Sequence, residues 1–372
     1  MKKYSIFVGL DVHKESIDVA LVESDRSATV RFYGTIGGEL TDLEKALIKI
    51  QKAHPDAIFH FAYEAGPCGY GIYRFLKKSG HDCIVVAPSM IPKRSGNRVK
   101  TDRRDALSLT SLHRAGELTP IHVPRIEDEA MRDLVRSRQD SIKSGRVVKQ
   151  QVKGFLLRHG IKFQGKGDWK SSHLKWLAGI AMPIPAQQIA LQEYLNAVKE
   201  STDRVTRLTA QIQELLPSWN LTPVVAALQS LRGVSLVIAV TTVAELGDLK
   251  RFTTPRQLMS YLGLVPSEHS SGGNRRTGGI TKAGNGAVRS ALVEAAQTYR
   301  LPARLSKTLL ARQEGLAPQV CAIAWKAQVR LCGRFRKMIA RVKKYQKVVC
   351  AIARELCAFM WAIAQEVECS PA

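Results

Sequence analysis

Four acidic residues stand where carboxylates do metal chemistry. Asp11 lies near the end of an apolar, β-rich stretch from Ile6 to Val12, and Glu64 ends a second such stretch at 57–64. Asp102 and Asp105 are three apart in a segment of helical pattern, so they share one helix face. Brought together, four carboxylates repel one another unless cations sit between them. Two Mg²⁺ ions, or Mn²⁺ in their place, would relieve that repulsion and clamp a phosphodiester for in-line displacement. Lys100, Arg103 and Arg104 interleave with the second pair, which suits a site approached by phosphate. Singly, each acid reads as a solvated loop residue, and Asp102 as an N-cap or first-turn acid favoured by the helix dipole. The set, in its order, points to a metal site.

A second chemical signal runs from Gly263 to Asn285, through Ser267, Ser270, Ser271, Gly272 and Gly273. Small residues let the backbone approach a phosphate, and Arg275, Arg276, Lys282 and Arg289 supply charge. A serine there can attack phosphorus if its proton is removed and the oxyanion neutralised. On chemistry alone, a phosphate cradle or a flexible connector is the more ordinary reading. The segment is not a P-loop, because Gly-x-x-x-x-Gly-Lys-[Ser/Thr] is absent.

The elements that must position these residues read as βββαβαβα over 4–115. Strands fall near 6–12, 16–22, 29–33, 57–64 and 83–87, and helices near 40–53, 69–78 and 102–115, the last capped by Thr101. In an α/β sheet of the RNase H type, strands one and four lie side by side at the centre. The last helix is then expected across their ends, bringing the four acids together. Two long amphipathic stretches follow, 127–158 and 186–216. In the second, Leu191, Leu195, Val198, Val205, Leu208, Ile212 and Leu215 keep a near-heptad spacing. That predicts an antiparallel helical hairpin or coiled-coil arm, packed on its own chain or on a second copy. Residues 224–300 form a third stretch, with a Gly/Ser loop over 267–286 and a helix from Ala287. The tail after 301 is helical, with 13 Lys/Arg from Arg300 to Lys347 against one acid, Glu314. Gly233-Val234-Ser235 resembles a phosphate-binding helix-hairpin-helix turn lacking its second glycine, and an ordinary helix–helix turn fits it as well.

Composition narrows the partner. The 372 residues carry 56 Lys+Arg against 32 Asp+Glu, a net charge of +24, which implies a polyanion. Nucleic acid is favoured over an acidic membrane, because no basic amphipathic helix ends in an aromatic anchor. The Met1 region is too short and charge-broken for a signal peptide, and no uninterrupted apolar run reaches bilayer length. The 7 cysteines form no CxxC or zinc pattern. Cys321, Cys332, Cys350 and Cys357 lie in helical sequence and read as reduced core residues of a cytoplasmic protein, nucleoid-associated when bound to DNA.

Together the motifs resemble the insertion sequence 110 family of DEDD transposases, including its pilin-gene invertase relatives. The matching residues are Gly9-Leu10-Asp11-Val12-His13-Lys14, Tyr63-Glu64-Ala65-Gly66 and Lys100-Thr101-Asp102-Arg103-Arg104-Asp105-Ala106. Further along stand Leu262-Gly263-Leu264-Val265-Pro266, Ser270-Ser271-Gly272 and Ile280-Thr281-Lys282-Ala283-Gly284-Asn285. The resemblance spans roughly 5–300. It implies a RuvC-like catalytic domain at 1–120, a coiled-coil arm at 121–222, and a mostly helical serine-containing transposase domain with a basic tail at 223–372. It carries the family's four acids onto Asp11, Glu64, Asp102 and Asp105, and its nucleophilic serine onto Ser271, with Ser270 the alternative beside it. In the family that serine is thought to form a covalent phosphoserine link to DNA while the carboxylates hold Mg²⁺. Family members act as dimers that pair into tetramers. A structured noncoding (bridge) RNA guides them by base-pairing with donor and target DNA.

Three other readings start from the same residues. A Holliday-junction-type nuclease would use the acids with water as nucleophile. A decayed transposase would bind nucleic acid without cutting it, yet all four acids and the serine are present. An actin-like kinase shares an early strand aspartate but needs phosphate loops that this sequence lacks.

Overall fold

The computed structural model describes residues 4–92, 101–271, 274–341 and 343–368, and of His269, Ser271, Asn274 and Arg275 the backbone alone. Two compact units divide the chain, Met1–Val123 and Pro124–Ala372.

The first unit is α/β. Its strands are β1 (Tyr4–Val12), β2 (Ser16–Glu23), β3 (Arg31–Gly37), β4 (Ala57–Glu64) and β5 (Asp82–Val86). Its helices are α1 (Leu40–Ala53), α2 (Gly71–Lys78) and α3 (Asp102–Arg114). The sheet order is β3-β2-β1-β4-β5, antiparallel from β3 to β1 and parallel from β1 to β5. Strands one and four are therefore neighbours in the middle, as the sequence suggests.

Alternation along β1 sorts the two faces. Ile6, Val8 and Leu10 are fully buried with Leu43, Leu47 and Ile50 of α1 and Ile72 and Leu76 of α2. Phe7, Gly9 and Asp11 point the other way, toward α3. A Cβ on Gly9 would overlap Thr110 Oγ1 and come within 2.8 Å of the Ala106 carbonyl, so α3 sits close on the strand because position 9 has no side chain. The helix does not lie across the strand ends as expected. Helix α3 packs on the face of β1 and β2, with Thr110 Oγ1 donating to the Ala20 carbonyl, and only its first turn reaches the strand ends.

The second unit is mostly helical. Helices α4 (Ile126–Arg158) and α6 (Pro185–Leu215) run antiparallel along each other, joined by a connection that includes α5 (Ser171–Ala178). Ser201 Oγ donates to the Ser141 carbonyl at 3.1 Å, beside a glycine, Gly145, that leaves it room. Of the near-heptad residues, Leu191, Val198 and Ile212 are buried, Leu195, Val205 and Leu208 half-buried, and Leu215 is exposed.

Beyond them come α7 (Thr222–Leu228), α8 (Leu236–Leu246), α9 (Pro255–Tyr261), α10 (Gly286–Ala296), α11 (Lys307–Gln313), α12 (Pro318–Ala340) and α13 (Tyr345–Gln365). Helix α13 is long and apolar enough to cross a bilayer by length and composition. Lys347, Arg354 and Glu355 interrupt its apolar run. Val348, Ile352, Leu356, Met360 and Ile363 are buried in the core of the second unit, where that apolarity is used for packing.

Among the described residues the cysteines form no disulfide. Cys332 and Cys357 are buried, and Cys321 and Cys350 are half-buried. Gly233 turns between α7 and α8 at φ +81°, where a Cβ would press on the Ala295 carbonyl. Close helix packing accounts for that glycine.

Candidate active site

In the first unit the acids gather at one end of the sheet. The last registered pair of β1 and β4 is Leu10↔Tyr63, so Asp11 and Glu64 follow at the same level of adjacent strands, about 4.8 Å apart in the hydrogen-bonding direction. Asp11 shares its face with Gly9 and Glu64 shares its face with Ala62, which packs with Leu109 of α3. Both acids thus emerge on the α3 side. Helix α3 starts with Thr101, whose hydroxyl accepts from the Arg104 N–H at 3.3 Å, leaving Asp102 and Asp105 as first-turn acids at the positive end of the helix.

The tight core of the site is Asp11, His13 and Asp102, whose ligand atoms lie within 4.8 Å of one another. His13, in the β1–β2 turn, places Nε2 3.3 Å from Asp11 Oδ2 and 3.5 Å from Asp102 Oδ1. Glu64 and Asp105 stand outside that group, although the charge of Asp105 acts on Asp11. Burial raises the Asp11 carboxyl above its ordinary range. Contact with His13 opposes the rise, and the charges of Asp105 and Asp102 add to it. A carboxylate made costly in this way by burial and like charges favours a cation, and two carboxylates with an imidazole are a donor set suited to a divalent one.

Two residues here carry no assignment from the sequence. His13 lies within the Gly9–Lys14 motif, and it is the turn after β1 that folds its imidazole back onto Asp11 and Asp102. Asp18 sits directly opposite Asp11 across β1 and β2, is only 8% exposed, and accepts a 2.5 Å hydrogen bond from Thr35 Oγ1. The antiparallel register of β1 and β2 was the available signal, since it puts Asp18 on the Asp11 face.

The basic residues divide. Arg103 is exposed and stacks over Phe32 at 5.0 Å, and Arg104 is exposed beside it. Lys100 lies outside the described residues. Arg276 and Lys282 are exposed, with Lys282 in the left-handed region at φ 57°. Arg289 is tied down, because its Nη1 donates to the carbonyls of Leu262, Ala283 and Gly284.

The Gly/Ser segment is not the loop expected from its composition. It forms a two-stranded antiparallel hairpin, β6 (Pro266–Ser271) and β7 (Asn274–Ile280), and the Ser271↔Asn274 register leaves Gly272 and Gly273, outside the described residues, between the strands. Two intervening glycines suit a tight hairpin connection. Ser271 therefore ends β6 at the hairpin tip. Ser270 is exposed, and its hydroxyl donates to Glu268 Oε1 at 2.8 Å.

The base of the hairpin is locked. The Thr281 and Lys282 N–H groups donate to the Val265 and Gly263 carbonyls, and a Cβ on Gly284 would overlap the Tyr261 carbonyl. Asn285 caps α10 by accepting from the Val288 N–H, and its Nδ2 donates to Glu245 Oε2 at 2.6 Å. The Glu245 side chain, 2% exposed, also accepts from Arg136 Nε and Nη2 at 2.8 and 2.9 Å. Burial pushes Glu245 upward, but Arg136 and Asn285 outweigh it and hold the carboxyl below its ordinary range. This chain of contacts connects α4 to the hairpin base through α8.

Comparison with known proteins adds a second line. Residues 8–161 match a family model described as a transposase, DEDD type of IS110, and residues 225–308 match one described as transposase IS116/IS110/IS902 family. A protein of Sinorhizobium fredii that carries the name of a transposase, y4qE, is 49% identical over 97% of this chain and 88% of its own length. The transposase for insertion sequence element IS1533 of Leptospira borgpetersenii is 33% identical over 93% of this chain and all of its own. The pilin gene-inverting protein of Moraxella bovis is 24% identical over 72% of this chain and 74% of its own.

Proposed function

The chain belongs to the IS110 family of insertion-sequence transposases, and we propose that it recombines DNA through a composite of metal-binding carboxylates and a serine nucleophile. The observation that carries the metal half is the Asp11–His13–Asp102 cluster at the end of β1, with the charge of Asp105 acting on Asp11 and Glu64 ending the adjacent strand β4. The strand order β3-β2-β1-β4-β5 supports an RNase H-like, RuvC-like domain at 1–120. The α4–α6 pair is read as a coiled-coil arm at 121–222, and 223–372 as the serine-containing domain.

In this reading Asp11, Glu64, Asp102 and Asp105 hold Mg²⁺, which supplies charge neutralisation at the phosphate. The Ser271 Oγ–P bond forms as a P–O bond of the DNA strand breaks, the serine proton passing to a base and the released oxygen becoming the strand end. Attack by a DNA hydroxyl on the phosphoserine then reverses the exchange on a new strand. The exposed cations Arg103, Arg104, Arg276 and Lys282 bind the backbone, together with Lys100 and Arg275. Arg289 holds the hairpin base. Donor and target DNA are the substrates, a bridge RNA from the element is the guide, and two dimers pair as the working assembly.

The test is Ser271→Ala. It is expected to abolish a covalent protein–DNA adduct and strand exchange while leaving nucleic-acid binding intact. Full recombination by that variant, or cleavage leaving free ends and no adduct, overturns the serine reading, the latter in favour of a water-using nuclease.

A further inference from the structure

A cavity of about 670 Å³ opens between the base of the β6–β7 hairpin and helices α12 and α13. Its size falls in the range of about 300–1,000 Å³ that small-ligand sites occupy. Its floor is apolar, made by Met259, Leu264, Ile280, Ala351 and Ala358. Its rim carries four cations, Arg330, Arg334, Lys347 and Arg354, against one carboxylate, Glu355. Glu355 is already engaged by Arg330 Nε and, at 3.2 Å, by Arg334 Nη1, which holds both guanidinium groups at the wall. Lys347 and Arg354 lie seven residues apart on α13, two turns along one face, and neither has an ion-pair partner among the described residues.

An apolar floor under a cationic rim is matched by a nucleotide out of its stack. The base covers apolar surface and the guanidinium planes, and the phosphate meets the free cations. A duplex would present only its outer phosphates and leave the floor uncovered. The hairpin supplies part of the wall through Pro266, Gly278 and Gly279. Ser271 lies five residues up β6 from Pro266, about 17 Å at the rise of a strand. A strand lying along the hairpin would therefore reach cavity and serine together.

We infer that this cavity is a subsite for an unpaired DNA nucleotide, its base on the Ile280–Ala351 floor and its phosphate on Lys347 and Arg354. The inference rests on the reading that the chain handles DNA, and it adds where a displaced strand is held.

Fluorescence anisotropy with the full chain tests it, using a labelled single-stranded DNA, the same sequence as duplex, and the matching RNA, each over a salt series. Lys347→Ala/Arg354→Ala is expected to weaken single-stranded DNA binding at least tenfold. It should flatten the log–log salt slope by about 1.4, the value for two lost contacts to a single strand. Duplex binding should change less than twofold. Ala351→Trp, which fills the floor without removing charge, is expected to weaken single-stranded binding with the salt slope unchanged. Equal losses on duplex and single strand would make the rim an ordinary cationic patch, and loss on RNA alone would assign the cavity to RNA; either overturns the inference. Unchanged binding by both variants overturns it while leaving DNA handling intact, whereas failure of the unmodified chain to bind any DNA sinks the underlying reading too.

Discussion

Replacing Asp11 with Asn separates what the acidic cluster costs from what it does. The ligand atoms of Asp11 and Asp102 lie within 4.8 Å. At that distance two carboxylate charges repel by about 1 kcal/mol under water-like screening and by about 3.5 kcal/mol at an effective dielectric of 20. Because the Asp102 side chain is 60% exposed, the lower figure applies. Asn keeps an oxygen to accept from His13 and removes one charge. In metal-free buffer Asp11→Asn should therefore stabilise the first unit by about 1 kcal/mol, a rise of roughly 3–5 °C in its melting temperature. Adding Mg²⁺ should reverse the ranking. The unmodified chain gains about 1.4 kcal/mol at tenfold excess over its Kd, and the variant much less. Differential scanning fluorimetry in EDTA and in a Mg²⁺ series reads both effects. A variant several degrees less stable than its parent in EDTA, or one that responds to Mg²⁺ as its parent does, would refute the reasoning that this cluster is a cation site held at an electrostatic cost.

Other expectations follow from the same contacts. Gly9→Ala should destabilise the first unit by about 1–3 kcal/mol through overpacking against Thr110 and Ala106, and should abolish activity by displacing α3, measured as melting temperature and strand exchange. Arg136→Ala leaves Glu245 buried with a main partner gone and should cost about 3 kcal/mol by chemical denaturation. Because the folded Glu245 carboxyl sits below its ordinary range, its contribution is present above the unfolded value of 4.5 and fades as pH falls through the folded one, so the difference between parent and variant should shrink in acid. Asp11 has the opposite sign. Its folded value is raised, so ionisation weighs against the fold, and metal-free stability from this group should increase as pH falls through the raised value toward 3.8. A parent-minus-Asp11→Asn difference that does not narrow over that interval would contradict it.

The order of elements was legible because period-two alternation and helical spacing are local signals. The first two strands emerge within two residues of their expected edges and the strand at 57–64 as read, whereas the third, expected at 29–33, runs on to Gly37. The seating of α3 was not, since it depends on one missing side chain at Gly9 meeting Ala106 and Thr110 about a hundred residues away. The hairpin was hidden by composition, because Ser, Gly and Arg have weak strand preference. Its strands are instead fixed by the locked backbone around Gly263, Lys282 and Gly284. Of the four acids read together from their order along the chain, Asp11 and Asp102 meet in one cluster, whereas His13 and Asp18 acquire meaning only through a turn and a cross-strand register. Arg289 shows the converse. Its charge suggested a phosphate contact, and its Nη1 is taken up by three carbonyls.

The central claim is that Ser271 becomes covalently joined to DNA during strand exchange. The most direct measurement incubates the full chain with Mg²⁺, the proposed guide RNA and a nicked DNA substrate that cannot religate, then digests protein and nucleic acid and locates the nucleotide-bearing peptide by mass spectrometry. The account predicts a phosphate-linked nucleotide on Ser271, absent from Ser271→Ala and from Asp11→Asn. Cut DNA with free ends and no modified peptide, or a nucleotide carried by Ser270 or any other residue, would contradict it.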